Sequence, residues 1–120
     1  VPDKPAPSVG VVIRTKDRPI FVNRALATVM AQNYPNFHIV LVNDGGDIGQ
    51  LKTAIEQSGQ HCPPQDRFTL LDLHPGQGRS AAFNRGVEAL TTDFVTCLDD
   101  DDTWAPDFMS ALIAFFGETA

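Results

Sequence analysis

Four consecutive carboxylates, Asp99, Asp100, Asp101 and Asp102, follow directly on the apolar run Phe94-Val95-Thr96-Cys97-Leu98 and precede Thr103-Trp104. Adjacent like charges repel, and a desolvated carboxylate left alone prefers to protonate. A cluster of this kind at the end of a buried strand therefore calls for a cation or for a solvated rim. Two readings of the residues fit. A hard divalent ion would take the carboxylate oxygens as ligands. Alternatively the acids form a solvated loop in which Asp102 or Thr103 caps a helix starting at Pro106-Asp107-Phe108. Asp93 and Asp107 fall in the same fifteen-residue stretch, so the negative charge has a local role beyond solubility.

The elements that must position these acids are legible from hydrophobic pattern. Val9 to Thr15 is a near-continuous β-branched run, as expected of a strand buried on both faces of a parallel sheet. It stops at Lys16-Asp17-Arg18-Pro19, where Asp17 suits a helix cap and Pro19 a first turn. Val22, Leu26, Val29 and Met30 then recur at helical spacing until Asn33-Tyr34-Pro35. His38 to Val42 reads as a second strand, halted by Asn43-Asp44-Gly45-Gly46, and a weaker helix spans about Ile48 to Gln57. Phe68 to Leu73 is a third strand. A third helix starts near Ser80 with Ala82, Phe83, Val87 and Leu90 on one side. The fourth strand leads into the acids, and a last helix runs from about Pro106 to Phe116, ending at Gly117.

Strand and helix alternate four times with short connections, which predicts an α/β fold: a mostly parallel, twisted sheet of about four strands with helices on both faces. Ligands in such sheets bind beyond the carboxyl ends of the strands, where strand order reverses. The four strand ends carry Thr15-Lys16-Asp17, Asn43-Asp44-Gly45, His74-Pro75-Gly76 and Asp99-Asp100-Asp101, and all four converge on one edge. That convergence strengthens the metal reading of the tetrad.

Composition bounds the rest. The chain has 120 residues, 42% of them hydrophobic, which suits one core and one domain. Residues 1–8 carry three prolines and read as a flexible lead-in. A net charge of −6 argues against nucleic-acid binding through phosphates, and an anionic ligand would need a mediating cation. The apolar stretches are strand-sized and no secretory leader pattern is present, so the expected compartment is the cytoplasm. Cys62 and Cys97 are expected to stay reduced and inert.

Five strings, taken in order, resemble glycosyltransferase family 2: Val11 to Pro19, Ala31 to Pro35, Val42 to Gly45, Gly78 to Gly86, and Leu98 to Asp107. The resemblance covers nearly the whole chain after Val9. It implies the GT-A fold, with residues 9–120 as the nucleotide-sugar-binding part, and an inverting transfer to a sugar, lipid or protein acceptor. It further implies a Mg or Mn ion on an Asp-x-Asp motif, assigning Asp99 and Asp101 to the metal and Asp100 to the ribose or water-mediated contacts, with the register in the tetrad open by one. Thr15 and Asp17 fall where the family holds base and ribose. Asp44 matches the acid that reads the base, favouring a UDP- or TDP-sugar. Arg79, at a helix N-terminus, offers a cationic contact to the diphosphate, with a solvated surface arginine as the alternative.

Departures from the family pattern are specific. Arg14-Thr15-Lys16-Asp17-Arg18 stands where Pro-Thr-Tyr-Asn-Arg is common, so an aromatic flanking the base is missing. Ala82-Phe83-Asn84 replaces Ala-Arg-Asn, so no phosphate contact transfers to Phe83. The general base, required to deprotonate the acceptor hydroxyl, is expected beyond Ala120. On its own the chain is therefore expected to bind donor without turnover, with an exposed sheet edge that invites pairing with another copy. The family often serves polysaccharide assembly, which would place a longer parent at the inner face of the membrane. A nucleotidyltransferase is disfavoured by the absence of a Gly-rich basic loop after the first strand. A signalling receiver is disfavoured because only Asp17 stands where its acid pair would be.

Overall fold

The computed structural model describes residues 6–59 and 63–119. Four strands, β1 (Val9–Thr15), β2 (Phe37–Asp44), β3 (Phe68–Leu73) and β4 (Phe94–Asp99), form one all-parallel sheet in the order β3-β2-β1-β4. Four helices, α1 (Pro19–Met30), α2 (Ile48–Gln57), α3 (Arg79–Glu88) and α4 (Phe108–Thr119), follow the strands in turn. The central strands earn their places by composition. Val9, Val11, Val12 and Ile13 of β1 and Ile39, Val40, Leu41 and Val42 of β2 are all fully buried. Strands buried on both faces need no alternation, and these have none.

The two faces of the sheet are covered unequally. On one, Val22, Leu26 and Val29 of α1, Leu51 and Ile55 of α2 and Met109 of α4 pack over Val11, Ile13, Ile39, Leu41 and Leu98. On the other, α3 packs over Val12, Val40 and Val42 through Ala82, with Phe83 and Leu90 at the margin. Its close approach depends on Gly86, where an added Cβ would come within 2.4 Å of a Val12 methyl.

Several expectations need correction. β4 is an edge strand, not a buried one: Val95 is 42% exposed and Cys97 is exposed, because α3 sits over β1 and β2 and leaves the flank of β4 open. Val87 faces solvent for the same reason. Asp17 does not cap α1; Arg18 occupies the cap position without a side-chain bond. Asp17 instead adopts φ 53° and accepts a hydrogen bond from the Asp47 N–H at 2.8 Å. Neither Asp102 nor Thr103 caps the last helix, which starts only at Phe108 and continues past Gly117 to Thr119. Of the lead-in, Ala6 to Ser8 are tied down, for the Ser8 N–H donates to Asp93 at 2.8 Å and Asn36 donates to the Ala6 carbonyl at 2.7 Å. Residues 1–5 and Cys62 lie outside the described residues.

Candidate functional site

The chain runs outward from β1 through β2 to β3, then crosses back to place β4 on the other side of β1. Strand order therefore reverses at the carboxyl ends of β1 and β4, and the acid tetrad lies there. Within the tetrad the carboxylates divide. Asp100 turns inward and is 5% exposed. Its Oδ2 accepts from the Thr15 hydroxyl at 2.8 Å and from Arg18 Nε at 3.2 Å, and its Oδ1 accepts from Arg18 Nη2 at 2.8 Å. The other three converge: one carboxylate oxygen each from Asp99, Asp101 and Asp102 lies within 4.8 Å of the rest. Three hard oxygen donors with so little separating them repel one another, and they fit a divalent ion such as Mg or Mn.

The turn is held by α1. Arg24 Nη2 donates to the Asp101 carbonyl at 3.0 Å, and the Asp102 N–H closes the turn on the Asp99 carbonyl at 3.0 Å. Farther along, Gln32 Nε2 donates to the Ala105 carbonyl at 2.7 Å while its Oε1 accepts the Met109 N–H at 2.9 Å. Trp104 stacks on Phe108 with ring centres 4.4 Å apart. A cavity of about 350 Å3 opens beside the turn, lined by Arg79, Phe83, Cys97, Asp99, Asp102 and Trp104 among others. A larger hollow of about 650 Å3 between α1 and α2 touches none of the tetrad, so chemistry and not size selects the site. Arg79 opens α3 and is 3.9 Å from Asp99, with most of its side chain in solvent. Partial burial of the Cys97 sulfur, with the nearby charge of Asp99, pushes its thiol up, so it stays protonated at neutral pH.

On the other side of β1, Asp44 is 1% exposed and its oxygens are already engaged. Arg14 donates to Oδ2 through Nε at 3.0 Å and Nη2 at 2.7 Å. The Gln77 and Gly78 N–H groups donate to Oδ1 at 2.6 and 3.3 Å. Burial by itself would raise this carboxyl, but the bonds from Arg14, Gln77 and Gly78 outweigh it and hold the group below the ordinary 3.8. Gly76 lets the loop come this close, since a Cβ there would stand 2.6 Å from the Asp44 carbonyl oxygen.

A family model, Glycosyl transferase family 2, matches residues 10–120. The chain belongs to glycosyl transferase family 2. Among curated members, an uncharacterised glycosyltransferase from Nostoc is 30% identical over 108 residues, covering 90% of this chain and 32% of that protein. The succinoglycan biosynthesis protein ExoW from Rhizobium meliloti is 33% identical over 93 residues, covering 76% of this chain and 28% of its own length. This chain thus spans about a third of the length of such relatives. Solved structures share the fold. The mannosyltransferase PcManGT from Pyrobaculum calidifontis, in complex with GDP-Man and Mn2+, superimposes with a TM-score of 0.75 at 24% identity, covering 92% of this chain and 35% of that one. TarS from S. aureus gives 0.79 at 19% identity, covering 92% and 20%. The architecture is that of GT-A glycosyltransferases.

Set against the family-derived assignments, the structure brings Thr15 and Asp100 into direct contact and gathers Asp99 and Asp101 with Asp102. Asp44 and Asp17 stand apart from that cluster, each bonded to a neighbouring loop. Sequence reasoning missed Arg14, Arg18, Arg24 and Gln32. For Arg14 the folded sheet supplies the reason: it pairs in register with Val42, and strand alternation puts Asp44, two residues on, upon the same face. The reach of Arg24 and Gln32 to a turn about 75 residues away had no signal in the sequence.

Proposed function

We propose that this chain is the donor-binding part of an inverting, metal-dependent glycosyltransferase acting on a nucleotide-diphospho-sugar. The observation that carries the proposal is the convergence of Asp99, Asp101 and Asp102 at the switch point of a family 2 fold. In it, Asp99 and Asp101, with Asp102, hold a Mg or Mn ion. Once bound, such an ion offsets the charge growing on a diphosphate leaving group. Arg79 and the first N–H groups of α3 supply further positive potential beside the cavity. Thr15, Asp17 and Asp100 border the ribose and base. The lean toward UDP or TDP rests on Asp44: a ring N–H of uracil or thymine would replace the Gln77 or Gly78 N–H at Oδ1. The presence of GDP-Man and Mn2+ in a protein of the same fold supports the donor class and the metal.

The acceptor in this reading is a glycan, lipid or protein, in keeping with the succinoglycan biosynthesis for which ExoW is named. The protein would work in the cytoplasm at the inner membrane face, and edge strand β4 would pair with another copy. Transfer also needs a general base for the acceptor hydroxyl, and in this reading the 120 residues alone bind donor without turnover. Calorimetric titration of UDP, TDP and GDP, each with Mn and then with chelator, tests the proposal. Metal-dependent binding that Asp101→Ala abolishes supports it. Binding that ignores both chelator and variant contradicts it.

A further inference from the structure

The tetrad is split in direction, and something must impose that. Four adjacent carboxylates on a free loop would spread into water. Here one is drawn inward and three outward, and the inward one is the best bonded, with Arg18 as a two-pronged donor and Thr15 as a third contact. A planar guanidinium fixes the plane of the carboxylate it grips, which an ammonium cannot do. The grip is itself seated on α1: the Arg18 guanidinium lies 5.1 Å from the centre of the Phe21 ring, and Arg24, which holds the Asp101 carbonyl, lies 5.3 Å from the same ring. Arg18, Phe21 and Arg24 thus form a clamp along the turn between Asp99 and Asp102.

Building on the cation reading above, we propose that Arg18 is a positioning residue of the cation site. By binding Asp100 it withdraws that carboxylate and sets the turn so that Asp99, Asp101 and Asp102 converge. Its guanidinium also stands 3.5 Å from Asp101. A fixed positive charge there opposes a bound cation, so its two effects have opposite signs. As a mere neighbouring charge, Arg18 would weaken cation binding and its removal would tighten it. As the positioning group, its removal loosens the turn and weakens binding.

Titration of MnCl2 alone, followed by calorimetry and by the paramagnetic signal of free Mn, separates these. Arg18→Gln is expected to weaken Mn binding about 10-fold, the order found when groups orienting metal ligands are lost. Arg18→Lys, which keeps the charge without the fork, should fall between wild type and Arg18→Gln. Arg18 is largely at the surface, and thermal melting of both variants checks that the fold persists; if Arg18→Gln does not fold, Arg18→Lys alone decides. Unchanged or tighter Mn binding in a folded variant overturns the inference while leaving the cation site standing. Failure of the wild-type chain to bind Mn overturns the site and the inference together.

Discussion

Asp44 and the turn from Asp99 to Asp102 lie on the same edge of one sheet, on either side of β1, and they solve the problem of a buried acid differently. Asp44 is sealed: Arg14 neutralises it, two backbone N–H groups complete it, and it is 1% exposed. The tetrad is left open, with one carboxylate satisfied and three facing one another across less than 5 Å. The first arrangement engages both carboxylate oxygens within the fold, so a ligand at Asp44 must displace one of these donors. In the second, Asp99, Asp101 and Asp102 keep carboxylate oxygens within 4.8 Å of one another at a largely exposed rim. The comparison teaches that acids at a sheet's carboxyl edge are not equivalent: they differ in how far the protein's own donors saturate them.

The largest test of the contrast is to break the sealed site. Asp44→Asn leaves the Arg14 charge without its partner, and unfolding by denaturant should show a loss of about 3 kcal/mol. The open site should behave in the opposite way, with Asp102→Asn changing stability by no more than about 0.5 kcal/mol or raising it, since like-charge repulsion is relieved. Between these, Gly76→Ala forces a methyl toward the Asp44 carbonyl oxygen, and melting should report a loss of about 2 kcal/mol.

Acid titration sharpens the same contrast by a smaller amount. The Asp44 carboxyl is depressed in the fold, so below its ordinary value of 3.8 the unfolded chain binds a proton that the folded chain does not. Its contribution is therefore complete above about pH 4 and is lost as pH falls through the folded value. Stability measured from pH 5 downward should drop with that slope in wild type and more gently in Asp44→Asn.

The strands were readable because β-branched runs bounded by Gly, Asn and Asp leave little choice, and β1, α2 and β3 fall where the pattern places them. The α4 boundaries were misread because Pro106 and Gly117 are local signals, whereas the start of that helix is set by Gln32 reaching across from the segment that follows α1. Asp17 was misread for a similar reason: its left-handed backbone aims the carboxylate at the next loop instead of its own helix. β4 looked buried because an apolar run carries no mark of lying at an edge. In the candidate site, residue types at the strand ends marked out the acids as candidates, but not which acid would turn inward. That depended on Thr15, Arg18 and a register that only the folded sheet supplies.

The most direct test measures Mn affinity and thermal midpoint together in Asp44→Asn and Asp101→Asn. The account predicts a crossing: Asp44→Asn melts well below wild type and still binds Mn, whereas Asp101→Asn melts with wild type and binds Mn weakly or not at all. Parallel loss of both properties in both variants, or Mn binding unchanged in Asp101→Asn, would contradict the division between a sealed, stabilising acid and an open cation site.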